Sequence, residues 1–241
     1  MLFFYVRHGD PIYNPDSLTP LGKRQAEAVA KRLAQHGIDK VYSSTSVRAI
    51  ETATPLCELL KLAPPEQLEF AHERHTWTTM GVVPFGNGKH TWPWNNMKLR
   101  NQFLSREVRE LGHQWYTHPA YAPYESIGQG MEYLRRETYA FLATLGYEWD
   151  EALGGYRVTR ENNDRVALFA HGGFGSVFLS VLLDIPYPDF SANFEIGHTG
   201  VTVIEFEECE GICHPRIISF SNDGHLYREG LPTTFNGRVT Y

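Results

Sequence analysis

The chain has 241 residues, 42% of them hydrophobic and 13% aromatic, with 22 Lys and Arg against 28 Asp and Glu for a net charge of −6. That length suits one generous globular domain, or two small ones, with a sizeable core. The acidic balance argues against a protein that coats DNA or RNA, since such binding needs clustered cations to neutralise phosphates. No window approaches the roughly 18 apolar residues of a membrane span, and Met1 runs into Leu-Phe-Phe-Tyr-Val without a basic leader segment, so neither a membrane anchor nor a secretory signal is expected. Three cysteines, Cys57, Cys209 and Cys213, are too few and too odd in number for a disulfide framework, which points to free thiols and a cytoplasmic protein.

Leu2 to Val6 is an apolar, aromatic and β-branched run, the pattern of a strand buried on both faces, and it stops at Arg7-His8-Gly9. After a loop rich in Pro and Asn, Thr19 is placed to cap a helix whose Ala26, Val29, Ala30 and Leu33 share one face, with Gly37 as its expected C-cap. Lys40 to Ser43 then reads as a strand, Ser46 to about Leu62 as a helix kinked or divided at Pro55, and Gln67 to Ala71 as a short third strand. Helix resumes near Gln129 to Leu145. Arg165 to Ala170 repeats the buried-strand pattern, His171-Gly172-Gly173 follows, and Phe174 to Leu183 is an apolar helix. Val201 to Phe206 and Arg216 to Phe220 close the series as strands. This alternation predicts a three-layer α/β/α sandwich around a mostly parallel sheet with an antiparallel edge.

The stretch from about 74 to 124 interrupts the pattern. It holds Trp77, Trp92, Trp94 and Trp115, four of the five tryptophans, and six Lys and Arg (Arg74, Lys89, Lys98, Arg100, Arg106, Arg109) against Glu107 and Glu110. About fifty residues rarely support a core of their own, so the stretch reads as an insertion within a single domain spanning 1–241. Packed aromatics under a long loop are the ordinary explanation; the positive balance favours a lid or cap that covers an anionic substrate.

In open α/β sheets ligands bind beyond the carboxyl ends of the strands. His8 and His171 both fall there, each followed by glycine, which allows a sharp turn and close approach of a bulky anion to backbone N–H groups. Arg7 precedes the first histidine and Arg48 opens the helix after Ser43-Ser44; guanidinium forks match phosphoryl oxygens and stay charged. Two imidazoles and two guanidiniums around one point describe a phosphate site. Glu73, after the third strand, is placed to protonate a leaving alkoxide, although pairing with Arg74 is an equally simple role for it.

These residues resemble the histidine phosphatase superfamily, which also includes the cofactor-dependent phosphoglycerate mutases. The likeness runs through Arg7-His8-Gly9 with Asn14, Leu18-Thr19-Pro20-Leu21-Gly22 with Gln25-Ala26, and Tyr42-Ser43-Ser44 with Arg48-Ala49 and Thr52-Ala53. It continues through Glu73-Arg74-His75, His171-Gly172 and Ser221-Asn222-Asp223-Gly224-His225-Leu226, in the family's order. The resemblance implies a phosphoglycerate mutase-like fold and a nucleophilic His8 that takes the phosphoryl group. It further implies oxygens held by Arg7, Arg48, His171, Gly172 and Asn14, and Glu73 acting as general acid and then as base. It implies no metal and no cofactor, a small-molecule phosphate ester as partner, and it is compatible with a homodimer.

Two departures stand out: Asp10 where the family often has Glu or Gln, and no Trp-Arg-Arg-Ser segment of the kind with which mutases grip phosphoglycerate. A phosphatase is therefore expected ahead of a phosphomutase, and both ahead of a binding module that has lost turnover. Cys209, Cys213 and His214 lack the second half of a zinc site.

Overall fold

The computed structural model describes residues 1–81, 83–86, 89–92 and 97–233. Six strands form the main sheet: β1 (Leu2–Arg7), β2 (Lys40–Ser44), β3 (Glu66–Leu68), β4 (Arg165–Ala170), β5 (Val201–Glu205) and β6 (Arg216–Asn222), in the order β6-β5-β1-β4-β2-β3. The strands β1, β4, β2 and β3 run parallel, and β5 pairs antiparallel with both β1 and the edge strand β6, so β5 alone runs against the other five.

The two central strands explain the layers. Their side chains alternate, as the pleat requires. Phe3 and Tyr5 stand with Val166, Leu168 and Ala170 on one face; Phe4 and Val6 stand with Ala167 and Phe169 on the other. The second face is covered by α1 (Pro20–Ala34) and α2 (Val47–Leu60) through Val29, Ala30, Leu33, Ala53 and Leu56. The first is covered by α4 (Glu125–Thr144) and α5 (Gly172–Leu182) through Leu134, Phe141, Phe174 and Phe178. The result is a sandwich of three layers.

Several local expectations are corrected. Thr19 does cap α1, accepting from the Gly22 amide, but the C-cap is Gln35, and Gly37 serves the following turn at φ +66°. Pro55 does not divide α2, which runs through it as one element; the buried Ala53, Leu56 and Cys57 around it offset the hydrogen bond that proline removes. The third strand is Glu66–Leu68, which takes in only Gln67 and Leu68 of the expected run, and Glu69–Ala71 forms a 3₁₀ turn. A four-stranded sheet of Tyr147–Asp150, Gly155–Val158, Ile212–Cys213 and Glu208–Cys209 was not anticipated. All three cysteines are free, with Cys57 and Cys213 buried and Cys209 exposed. Among the described residues no helix is long and apolar enough to cross a membrane.

The aromatic insertion is more ordered than its weak periodicity implies. It begins with α3 (Glu73–Met80), and further on Phe103, Val108, Trp115 and Tyr121 join the same buried cluster as Phe174 and Phe178. Trp115 is fully buried, its ring centroid 5.2 Å from those of Phe103 and Tyr121 and 5.5 Å from that of Tyr187. Trp94 lies outside the described residues. If this end of the insertion shares the main core, Trp115→Ala lowers global stability by about 3–5 kcal/mol in one cooperative urea transition. A separate early transition, with the main one unmoved, would show that it packs independently.

Candidate active site

Parallel pairing aligns the carboxyl ends of β1, β4 and β2, and the residues that follow them meet in one place. The His8 amide donates to Ala170 O at 2.8 Å, which ties the end of β1 to that of β4. The rings of His8 and His171 then lie 5.1 Å apart, nearly edge to face.

His8 is 3% exposed and its Nδ1 lies 2.7 Å from Gly9 O. A carbonyl oxygen only accepts, so Nδ1 carries the proton and Nε2 keeps the lone pair. The Gly9 amide in turn donates to Thr52 Oγ1, and that hydroxyl donates to Arg48 O. Burial, then the guanidiniums of Arg7 and Arg48, hold the His8 imidazole well below its ordinary pKa, in the neutral form.

His171 has the opposite tautomer. Arg48 Nη2 lies 3.1 Å from its Nδ1 and can only donate, so Nδ1 accepts and Nε2–H donates to Ser44 Oγ at 2.8 Å. Its carbonyl accepts from the Tyr5 hydroxyl at 2.6 Å. Burial is the main reason its pKa also falls well below the ordinary value, with His8 and Arg48 adding to it.

Arg48 sits in the first turn of α2, 8% exposed, where the helix dipole disfavours a cation. Asp16 resolves the conflict: Oδ1 accepts from Arg48 Nη1 at 2.7 Å while Oδ2 accepts from the Val47 amide at 2.8 Å. The helix needs this outside cap because Ser46, the residue in the cap position, turns its hydroxyl toward His171 Nε2, 3.3 Å away. Arg48 Nε is buried with no hydrogen-bond partner among the described residues. On the other side, Arg7 is fixed by Nη1 donating to Ile196 O at 2.7 Å, and Gly172 leaves room for it: a Cβ there would lie 3.3 Å from Arg7 Nε.

Glu73 does not pair with Arg74, which bonds Glu69 instead. As the first residue of α3 it reaches α5, Oε1 accepting from the Gly173 amide at 3.0 Å and Oε2 from the Phe174 amide at 2.9 Å. These amides favour the charged carboxylate, but burial outweighs them and raises its pKa above the usual carboxylate value. Asn14 stands at the exposed tip of the hairpin formed by Pro11–Tyr13 and Asp16–Leu18; its neighbour Tyr13 lays its ring 5.5 Å from the Arg48 guanidinium carbon.

The structure thus gathers Arg7, His8, Arg48, Glu73, His171 and Gly172, and adds residues that the sequence reading did not single out: Asp16, Ser46, Tyr13 and His198. The His198 ring is 5.6 Å from that of His8, its Nδ1 faces Asp10 Oδ1 at 3.8 Å, and burial together with Arg7 brings its pKa down to about 3. The other Asp10 oxygen accepts from the Thr19 hydroxyl, so the departure at position 10 coincides with a third imidazole. The closing Ser221–Leu226 segment contributes from a distance: His225 Nε2 lies 3.0 Å from Thr199 Oγ1, and the Thr199 amide donates to Arg7 O.

The family model described as the histidine phosphatase superfamily (branch 1) matches residues 3–83 and 102–215. No curated protein matches the chain. Among solved structures, it is similar to a phosphoserine phosphatase mutant from Entamoeba histolytica in complex with phosphoserine, with 20% identity, 93% of this chain and 98% of that one covered, and a TM-score of 0.58. A mycobacterial glucosyl-3-phosphoglycerate phosphatase gives 20% identity, 91% and 98% coverage and a TM-score of 0.56. A putative alpha-ribazole-5'-P phosphatase from Escherichia coli gives 16%, 92% and 98%, and 0.55.

The role of Asp16 is open to direct test. Asp16→Ala removes both the outer cap of α2 and the carboxylate that steers Arg48, and should weaken binding of inorganic phosphate about tenfold, or about 1.4 kcal/mol. Isothermal titration reads this; unchanged affinity would show that Arg48 holds its place without Asp16.

Proposed function

Because the chain belongs to the histidine phosphatase superfamily, we propose that it is a phosphatase that hydrolyses a small-molecule phosphomonoester through a phosphohistidine on His8. The observation that best supports this is the Gly9 carbonyl on His8 Nδ1, since it leaves Nε2 with a lone pair on a ring that lies near two fixed cations, Arg7 and Arg48. The phosphatases of similar fold support water as the final acceptor.

In the first step Nε2 attacks phosphorus, the N–P bond forms, the P–O bond to the ester oxygen breaks, and protonated Glu73 gives its proton to that oxygen. In the second, Glu73 as carboxylate takes a proton from water, the water oxygen attacks phosphorus, and the N–P bond breaks to release phosphate and return the lone pair to His8. Arg7 and Arg48 neutralise the equatorial oxygens with the Gly172 amide as a further donor, whereas Asn14, at the exposed hairpin tip, is not among the gathered residues. His171, whose Nδ1 accepts from Arg48 Nη2, stays neutral and holds that guanidinium at the pocket. Two fixed guanidiniums carry the charge that a metal supplies elsewhere, so turnover in excess chelator is expected.

The pH dependence follows from the two shifts. His8 must be neutral to attack, and its lowered pKa moves the acid limb of kcat/KM below the usual histidine range, about 6.5. Glu73 must be protonated to act first, and its raised pKa moves the alkaline limb above the usual carboxylate value, about 4.3. For an alkyl phosphate the rate should fall toward acid as His8 protonates and toward alkali as Glu73 ionises, the alkaline limb being lost in Glu73→Gln along with about 10²–10⁴-fold of rate. His8→Ala should abolish phosphate release. Turnover that survives His8→Ala, or an alkaline limb that survives Glu73→Gln, would overturn these assignments.

A further inference from the structure

Glu73 shares its edge of the pocket with two indoles. Trp77 follows it by four residues on α3, so both side chains leave the same face of the helix, and it is 42% exposed. Trp92, half-buried just beyond the strand Lys89–Thr91, lays its six-membered ring against the first turn of α5. A Cβ built on Gly173 would lie 2.5 Å from Trp92 Cη2 and 2.7 Å from both Trp92 Cζ2 and Glu73 Oε1. Glycine at 173 is thus what lets carboxylate and indole approach the same backbone. The two indoles meet edge to face with centroids 5.2 Å apart.

The cations of the same stretch are engaged elsewhere. Arg74 pairs with Glu69, Arg106 with Glu110 and Arg109 with Asp189, while Arg100 donates to Ala192 O. Lys89 and Lys98 have side chains outside the described residues. Among the described side chains of the insertion, those beside Glu73 are the indoles of Trp77 and Trp92. Tyr13, 71% exposed, adds a further ring over Arg48.

A general acid must stand beside the oxygen that departs, whatever that oxygen is attached to. The alcohol of the substrate then lies where Glu73, Gly173 and Trp92 come together. We infer that Trp92 and Trp77 form the wall of the leaving-group subsite and select phosphomonoesters whose alcohol carries a planar apolar ring over compact, hydroxylated ones. This rests on the roles given above to His8 and Glu73. Indole faces reward planar apolar groups through dispersion and offset stacking, and offer a hydroxylated chain few hydrogen-bond partners to replace water.

The test uses the full-length protein and two esters with alcohols of comparable acidity, 2-phenylethyl phosphate and glycerol 1-phosphate, so that leaving-group chemistry does not set the ratio. The wild type should favour the aromatic ester by about tenfold or more in kcat/KM. Trp77→Ala, at an exposed position, and Trp92→Leu should bring that ratio toward one, mainly through KM, while Trp92→Phe should retain most of it. Equal use of both esters by the wild type, or a ratio untouched by Trp77→Ala and Trp92→Leu, overturns the wall and leaves the roles of His8 and Glu73 standing. No turnover of either ester or of nitrophenyl phosphate overturns the site assignment and the wall with it.

Discussion

One hydrogen bond orders the site: the contact between His8 Nδ1 and the carbonyl of the residue that follows it, Gly9. It decides which ring nitrogen is free, and its geometry depends on the turn at Gly9 being held. That turn is tied through the Gly9 amide to Thr52 and through Thr52 to the backbone of Arg48. The proposed nucleophile and one of its cations are therefore positioned by a single relay from β1 to α2, and a shift in either would move the other.

The second constraint is electrostatic. Arg7, Arg48, His8 and His171 are buried together, with Asp16 on Arg48, Glu73 on the first turn of α5 and Asp10 facing His198 as the carboxylates nearby. Buried cations without compensation are costly. The fold reduces the cost by keeping the histidines neutral, by giving Arg7 a backbone carbonyl and Arg48 a carboxylate, and by placing Glu73 on the amide end of α5. In the proposed reaction the substrate's phosphoryl dianion would supply the missing charge. The same desolvation that lowers the pKa of His8 raises that of Glu73, which suits both groups to the roles proposed for them.

How much of this could be read in the sequence depends on whether a residue acts through its own segment or through a distant one. The buried strands at Leu2–Arg7 and Arg165–Ala170 announce themselves by unbroken apolar runs, and the polar residues at their ends announce the pocket. Arg48 was legible because a cation at a helix start calls for an anion. Asp16 was not: it caps a helix more than thirty residues away, and only because Ser46 has turned its hydroxyl to His171. Nor was the partner of Glu73 legible, since the adjacent Arg74 looks like the obvious one until α3 is seen to aim the carboxylate at α5. The insertion has little sequence period because its aromatics bury into a core supplied by α5 and its neighbours, so one end reads as irregular although Trp115 is wholly enclosed.

The account stands or falls on the chemical form of the loaded enzyme. Mixing the protein with a phosphomonoester, quenching within the turnover time in alkaline denaturant and locating the phosphoryl group by phosphorus–proton NMR on the isolated peptide tests it most directly. The phosphoryl group is expected on Nε2 of His8. Its appearance on Nδ1, or on His171, or turnover at full rate with no phosphohistidine at any time, would contradict the claim that the Gly9 carbonyl selects the reacting nitrogen.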